Sequence, residues 1–334
     1  MTNQMTDHEM TLIINKAKEV QFNENPKNKQ KEFNNLGKST INAYVTNLKK
    51  LHRELKITKP LTNLDWLMDT KIVIDFINKL NTPNTRKNYL SVIIAILHYN
   101  LKKYKETIDV YVKSAQSNSL DIKIEHKKVI ACSSEKIISM KEYDDFLNKL
   151  SQIKKYETDY IIFLMLKYYP IRNEIVSLKY ITNADYVKLD KSTQDNNNWI
   201  IEKTKVMTMV RNQYKTNKVF GKIETQITQP FKSILKKYIK SFNIQSSNDL
   251  FNIKQESLSH RLTTVSNDVI GIKLAETAVF KIVCCDIIKN DNLLKKEELK
   301  AKAQIRGSSY KVLVDFYVYG NNNDDNASQI SNDD

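Results

Sequence analysis

The chain has 334 residues, of which 41% are hydrophobic and 27% charged, and it carries a formal net charge of +15 at pH 7. This length and apolar fraction predict two globular domains with a core in each. No uncharged apolar run approaches the roughly 18 residues of a membrane-spanning helix, and residues 1–10 lack the basic and apolar blocks of a signal peptide. We therefore expect no membrane partner.

The excess of positive charge predicts a polyanionic partner. Lys and Arg side chains that neutralise phosphates release condensed counterions, which drives nucleic-acid binding. A generic lysine-rich composition is the alternative interpretation, and the placement of the basic residues in motifs favours the first. The three cysteines, Cys132, Cys284 and Cys285, form no metal-ligand spacing and no disulfide framework. They predict packing residues in a reducing, intracellular compartment, and we expect no metal or small-molecule cofactor.

Composition and periodicity divide the chain into five parts, which we expect to be mainly α. A polar flexible arm (1–36) precedes a small helical domain (37–105) and an irregular polar linker (106–135). A mixed α/β domain (136–320) follows, and the polar, acidic segment 321–334 is expected to be a disordered tail. In the second domain the pattern predicts helices on either side of a small antiparallel sheet, with strands expected at 186–189, 199–201, 206–211 and 219–227.

Basic residues stand at two predicted helix starts in the 37–105 domain. Lys38 precedes Thr40, which has the character of an N-cap, and Arg86 and Lys87 open a later helix. Backbone N–H groups and the helix dipole favour phosphates at such positions. Simple N-terminal turns that face water explain these residues equally well.

One arginine of the second domain lies at a break between two apolar segments. Pro170 cannot continue the helix that precedes it, because its ring fixes φ and it has no N–H to donate. Arg172 follows at once, before the apolar turn that contains Ile175 and Leu178. Such an arginine is either a buried ion-pair partner or an anion clamp.

Two further stretches hold candidate functional residues. The turn YKTNKVFG places Lys215 and Lys218 between two predicted strands, where they are either ordinary solvated lysines or the basic tip of a rigid hairpin. Near the C-terminus, Arg306 in Arg-Gly-Ser-Ser precedes an apolar helix that ends in tyrosines. Tyr310, Tyr317 and Tyr319 are the candidates there.

These motifs occur in the order seen in tyrosine recombinases, the phage-integrase family. The chain resembles the divergent members carried by large DNA viruses, virophages and other mobile elements. The motifs on which the resemblance rests are P-I-R-N-E-I-x-x-L at Arg172, Y-K-T-x-K-x-F-G at Lys215, and R-G-S-S…Y. The segments S-T-I-x-x-Y, with Thr40 and Tyr44, and T-x-x-T-R-K-N-Y are similar to the helical, SAM-like core-binding domain of that family.

The resemblance implies strand exchange on double-stranded DNA without metal or hydrolysis. A tyrosine hydroxyl attacks the scissile phosphate, leaving a 3′-phosphotyrosyl link and a free 5′-hydroxyl. Guanidinium groups hold the non-bridging oxygens, and an acid protonates the leaving oxygen. By position, Arg172 resembles the first clamp arginine, Lys215 the acid and Tyr317 the nucleophile, with Tyr319 as its rival. The resemblance also implies a tetramer on two duplexes.

The chain departs from the family at its second arginine. The helix LAETAVFKIVCCDII contains no His/Lys-x-x-Arg, and the candidate position holds either Phe280 or Lys281. Arg306 then becomes the expected third phosphate donor, while Ser259-His260-Arg261 is interpreted as a solvated helical face. The departures leave two alternatives open: a catalytically inactive DNA-binding relative, and a monomeric nicking enzyme that resembles a type IB topoisomerase.

Overall fold

A computed structural model gives the architecture of the chain. It describes the backbone of residues 2–25, 36–133, 138–289 and 295–317, and side chains for 7–25, 36–122, 138–289 and 295–314. The chain divides into two compact units, Met1–Val129 and Ile130–Asp334. The predicted acidic tail at 321–334 lies outside the described residues.

The first unit is helical. Its core is formed by apolar stripes on successive helices, with Leu48, Leu51, Ile77 and Ile93 all 1% exposed or less. Asp69 and Thr82 cap the helices that follow them by accepting backbone N–H groups. Its helices are α1 (Thr2–Glu24), α2 (Lys38–Glu54), α3 (Thr70–Asn78), α4 (Pro83–Leu97) and α5 (Leu101–Ser133), with short 3-10 helices at Leu64–Met68 and His98–Asn100.

Two sequence expectations for this region are wrong. Residues 1–36 do not begin as a flexible arm, because α1 buries Met10, Ile14 and Ala17 at helical spacing. The stretch 106–135 is not an irregular linker either, since its residues up to Ser133 continue α5. Both stretches are polar on average, yet each keeps one apolar stripe that packs on the core, and that stripe decides the outcome.

The second unit surrounds a four-stranded sheet with helices, as the mixed α/β prediction requires. The strands are β1 (Leu178–Thr182), β2 (Asn198–Glu202), β3 (Met207–Arg211) and β4 (Ile223–Ile227). The helices are α6 (Met140–Ser151), α7 (Glu157–Tyr168), α8 (Asn183–Tyr186), α9 (Lys191–Asp195), α10 (Asn217–Phe220), α11 (Phe231–Ser241), α12 (Gln255–Ile270), α13 (Glu276–Lys289), α14 (Lys295–Arg306) and α15 (Tyr310–Tyr317), with 3-10 helices at Lys154–Tyr156 and Asn173–Ser177.

The sheet is mixed rather than antiparallel. Its order is β1-β2-β3-β4, and β1 pairs with β2 in parallel, whereas the other two pairs are antiparallel. The strand expected at 186–189 is absent, because Tyr186 is the last residue of the short helix α8 and 187–189 follow it. The strand instead begins at Leu178, directly after the 3-10 helix. Fully buried residues of α6, α7 and α12 pack with Ile200 and Met209 of the sheet in the main core of this unit.

Among the described helices, none is long and apolar enough to cross a membrane. No group of three or more potential ligands to a metal ion occurs among the described residues. Cys284 is fully buried in a small apolar cluster with Phe280 and Leu313, as a packing residue should be. Burial raises the pKa of its thiol to about 12.

Candidate active site

Arg172 lies where α7 gives way to the 3-10 helix Asn173–Ser177. Pro170 follows the end of α7, and the backbone of Arg172 is extended, with φ −86° and ψ −162°, before the 3-10 helix begins. Ile171 and Ile175 on either side are fully buried, which fixes the backbone. Arg172 itself is half-buried, so the rigid corner holds an arginine that is partly open to solvent.

The guanidinium group of Arg172 contacts uncharged acceptors. Its Nη1 donates to the carbonyl of Arg306 at 3.1 Å and lies 3.5 Å from the hydroxyl of Thr216. Glu174, the nearest acidic residue in sequence, pairs instead with Arg211, whose Nη1 lies 3.1 Å from its Oε1. No described carboxylate forms an ion pair with Arg172. Of the two sequence interpretations, the geometry therefore favours the anion clamp.

The segment between β3 and β4 is held firmly at its base. Asn198 is 2% exposed, and its Oδ1 accepts the backbone N–H groups of Asn212 at 2.9 Å and Gln213 at 2.8 Å. Tyr214 is also buried, and its hydroxyl donates to the carbonyl of Gly221 at 2.6 Å. These hydrogen bonds fix the base of the loop and close it between Tyr214 and Gly221.

Both lysines of the predicted tip, Lys215 and Lys218, are exposed. Thr216, between them, donates its hydroxyl hydrogen to the carbonyl of Gly307 at 2.6 Å. Because Arg172 contacts this same threonine and the neighbouring carbonyl, three segments meet here. We call the meeting point of segments 170–174, 212–222 and 305–308 the Arg172 site.

Gly307 allows the close approach of these segments. Its φ is +66°, and a Cβ atom there would lie 2.6 Å from Cε2 of Tyr214, inside contact distance. Both the left-handed backbone and the space require glycine.

Gly307→Ala is therefore expected to destabilise the second unit by about 2 kcal/mol, since strain and overpacking each cost on the order of 1 kcal/mol or more. Thermal denaturation measures this, and Gly271→Ala is the matched control. Gly271 also has a positive φ, of +71°, but nothing lies within 4 Å of a Cβ added there. An equal loss in both variants would show that packing against Tyr214 contributes nothing.

Arg306, the expected third phosphate donor, is buried and forms an ion pair within the fold. The residue is 2% exposed, and its guanidinium group pairs with Glu276 and lies 4.1 Å from the centre of the Phe280 ring. Its Nη1 also donates to the carbonyl of Pro170 at 3.3 Å. The side chain joins α14 and α13 to the Arg172 corner, and the backbone carbonyl of Arg306 accepts the hydrogen bond from Arg172.

Sequence reasoning missed Arg211, which is fully buried at the end of β3. Besides Glu174 it binds the carbonyl of Ile305, and its guanidinium carbon lies 4.9 Å from the centre of the Tyr214 ring. Burial lowers the pKa of Arg211, and the charge of Glu174 opposes that shift. The sequence feature that could have identified Arg211 is a charged residue directly after the mainly apolar strand residues Met-Thr-Met-Val.

The remaining predicted residues of the second unit keep their expected elements. Lys281 is half-buried on α13 and directly follows Phe280, whose ring lies beside Arg306. Tyr317 is the last residue of α15, a helix anchored by the fully buried Leu313. The side chain of Tyr317 and all of Tyr319 lie outside the described residues.

The interpretation of Ser259-His260-Arg261 as a solvated helical face is wrong for Arg261. Its Nε and Nη2 donate to the two carboxylate oxygens of Asp159 at 2.6 and 2.8 Å, and Asp159 is fully buried. Hydrogen bonding to that carboxylate raises the pKa of Arg261. This bidentate pair joins α12 to α7, so Arg261 is a structural arginine. Ser259 and His260 are exposed.

In the first unit, the predicted DNA-binding residues differ in exposure. Lys38, the first residue of α2, and Lys87 in α4 are exposed, whereas Thr40 and Tyr44 are half-buried. Arg86 is also half-buried, and its Nε donates to the carbonyl of Leu80 at 3.1 Å, which holds the start of α4 to the preceding turn.

Comparisons with known proteins agree with this fold. Two solved structures match the chain. A Tn1549 transposon integrase in complex with transposon right-end DNA shares 14% identity over 96% of this chain and 98% of its own, with a TM-score of 0.53. XerA recombinase shares 11% identity over 94% of this chain and 95% of its own, with a TM-score of 0.38. Only the first is similar enough to define the fold.

The fold is therefore similar to that of the transposon integrase, and the predicted combination of a helical domain with a mixed α/β domain is confirmed. No protein-family model matches the sequence, and no curated protein matches it either. At 14% identity the likeness establishes the architecture, and the activity of this chain has to be argued from its own residues.

Proposed function

We propose that this protein is a DNA strand-transfer enzyme, a site-specific recombinase or integrase that acts through a 3′-phosphotyrosyl intermediate. The observation that carries the proposal is the Arg172 site. A half-buried guanidinium group, with no carboxylate partner among the described residues, lies where the β3–β4 hairpin meets the turn that leads into the tyrosine helix. The integrase fold, found in complex with DNA in the transposon protein, supports it.

Each residue has a distinct role in the proposed reaction. Arg172 binds the non-bridging oxygens of the scissile phosphate, where negative charge grows as the tyrosine attacks. Tyr317 supplies the attacking oxygen, so the P–O5′ bond breaks as the tyrosine–phosphate bond forms. Lys215 protonates the departing 5′ oxygen. A 5′-hydroxyl of a second strand then attacks the phosphotyrosine and releases Tyr317.

In the first unit, Lys38, Thr40, Tyr44, Arg86 and Lys87 are proposed to contact the duplex, and Lys218 to contact DNA beside Lys215. Exposed lysines at helix starts suit phosphate contacts. A tetramer on two duplexes is proposed as the assembly that exchanges strands. Lys281 is proposed as the replacement for the missing second arginine, as a point charge without the bidentate fork.

A second candidate is a DNA-binding relative that does not cut. The observation that favours it is the burial of Arg306 against Glu276, because this removes one of the guanidinium groups that the resemblance assigns to phosphate. A topoisomerase-like nicking enzyme would use the same residues without a partner duplex.

Nicked suicide substrates separate these candidates. A random-sequence pool of nicked duplexes loses the short 5′-hydroxyl strand after cleavage, which traps the covalent adduct for denaturing gels. The proposal predicts an adduct and no relaxation of supercoiled plasmid in the absence of a second site. Tight duplex binding with no adduct supports the inactive relative, and relaxation of plasmid supports the topoisomerase.

Lys215→Ala is expected to slow adduct formation by about 10²–10⁴-fold, the range of a general acid. A substrate with sulfur in place of the leaving 5′ oxygen needs no protonation, so it should restore the rate of this variant. Lys218→Ala is the matched control for a lysine that only contacts DNA, because Lys218 is also exposed on the same loop; any loss in this variant should not be restored by the sulfur substrate. Failure of the sulfur substrate to rescue Lys215→Ala would reject the acid role.

A further inference from the structure

Arg211 contacts all three segments of the Arg172 site. It ends β3 at the base of the 212–222 loop, pairs with Glu174 at 3.1 Å, and binds the carbonyl of Ile305. It is fully buried, so it cannot touch DNA. Its importance must come from what it does to its neighbours.

The relevant neighbour is Glu174, whose side chain is 7% exposed. Glu174 is two residues from Arg172 in the chain. Arg172 donates to the carbonyl of Arg306, and Arg211 binds the carbonyl of the preceding residue, Ile305, so the two guanidinium groups bind neighbouring carbonyls of one turn.

A buried carboxylate without a cation is costly, and guanidinium–carboxylate bonds are among the strong hydrogen bonds of proteins. If Arg211 did not pair with Glu174, the carboxylate of Glu174 would have the nearby guanidinium group of Arg172 as its alternative partner. An ion pair between Glu174 and Arg172 would neutralise the charge that the phosphate needs.

We propose that Arg211 is a positioning residue that sequesters Glu174 and thereby keeps Arg172 available for a phosphate group of DNA. The inference rests on the proposed function, since it names what Arg172 binds. It explains why Arg172, with an acid two residues away, forms no ion pair with any described side chain.

Two single variants separate this role from a merely structural one. Arg211→Met and Glu174→Gln break the same ion pair, so a structural role predicts similar losses in both. Sequestration predicts an asymmetry. Arg211→Met frees the carboxylate and should slow adduct formation by about 10²-fold, the effect of losing one oxyanion donor. Glu174→Gln leaves no carboxylate to capture Arg172 and should retain the wild-type rate within a few-fold. The double variant should recover the activity that Arg211→Met loses.

A binding measurement gives the same answer without catalysis. Fluorescence anisotropy with a random-sequence duplex at several salt concentrations yields the slope of log K against log salt, whose magnitude falls by about 0.9 for each phosphate that the protein no longer neutralises. Arg211→Met should reduce the magnitude of the slope by that amount, as should Arg172→Ala. The double variant should reduce it no further. Glu174→Gln should leave the slope unchanged.

The outcomes separate the two proposals. A wild-type protein that forms no adduct but shows these slopes contradicts the proposed catalysis and supports the sequestration of Glu174. Equal losses in Arg211→Met and Glu174→Gln overturn the sequestration while leaving the catalysis intact. If Arg211→Met does not fold, Glu174→Gln provides the test. Loss of phosphate binding in folded Glu174→Gln would also overturn the inference.

Discussion

Replacing Arg172 with alanine is expected to slow covalent attachment to DNA by about 10²–10³-fold, the cost of removing one oxyanion donor. The melting temperature should hardly change. The side chain is half-buried and contacts a carbonyl and a hydroxyl group, so its removal leaves no buried charge behind. Single-turnover adduct formation on a nicked suicide substrate and thermal denaturation measure the two effects.

Arg261→Ala is the matched control, because the same type of side chain has the opposite environment. Its partner Asp159 is fully buried, while the side chain of Arg261 is 42% exposed. Losing it should cost on the order of 2 kcal/mol of stability, an amount reduced by solvent screening, with little change in adduct formation by the folded protein. If Arg172→Ala instead melts as early as Arg261→Ala and keeps its adduct rate, Arg172 is structural.

Arg306→Met is expected to be the most destabilising single change at the site. It leaves Glu276, whose side chain is 10% exposed, without its cation, and breaking a buried pair in this way costs about 3–5 kcal/mol. For a unit of this size each kcal/mol lowers the melting temperature by roughly 2–4 °C, so we expect a loss of about 10 °C in differential scanning calorimetry.

The double variant Arg306→Met/Glu276→Gln tests the cause. Removing the carboxylate as well should recover much of the lost stability, because no uncompensated charge remains buried. A normal melting temperature in Arg306→Met, together with loss of the adduct, would instead return Arg306 to the phosphate role that the sequence suggested.

The Arg172 corner could be predicted because its cause is local. Proline cannot continue a helix that precedes it, and the apolar residues on both sides predict that the backbone is buried. The sheet was harder. Ile175 and Leu178 fit a helical turn, but three residues of spacing also fit a 3-10 turn followed by a strand, and periodicity over so short a segment does not distinguish them. The parallel strand β1 was missed for that reason.

The helices α1 and α5 were missed for a different reason. The mean polarity of both stretches predicted an arm and a linker, although each contains apolar residues at helical spacing. Met10, Ile14 and Ala17 recur at helical spacing, as do Tyr104, Ile108 and Tyr111, and all are buried. The many charged residues between them face solvent, as an amphipathic helix allows. A stripe of three residues was the better guide than the composition of the whole stretch.

The roles of the arginines required tertiary structure. Arg172 and Arg306 look alike in sequence, each in a turn between apolar segments, yet one guanidinium group has a buried carboxylate partner and the other has none among the described side chains. The packing of separate elements determines which arginine pairs with Glu174 and which pairs with Glu276. Sequence spacing cannot tell which arginine each acid will meet.

The proposed strand transfer is tested most directly by comparing wild-type protein with Tyr317→Phe and Tyr319→Phe on the same pool of nicked duplexes. We expect a covalent protein–DNA adduct that survives in Tyr319→Phe and is absent in Tyr317→Phe, with duplex affinity equal in all three. An adduct that persists in Tyr317→Phe would contradict the assignment of the nucleophile. Tight DNA binding without an adduct in the wild type would contradict the proposed strand transfer itself.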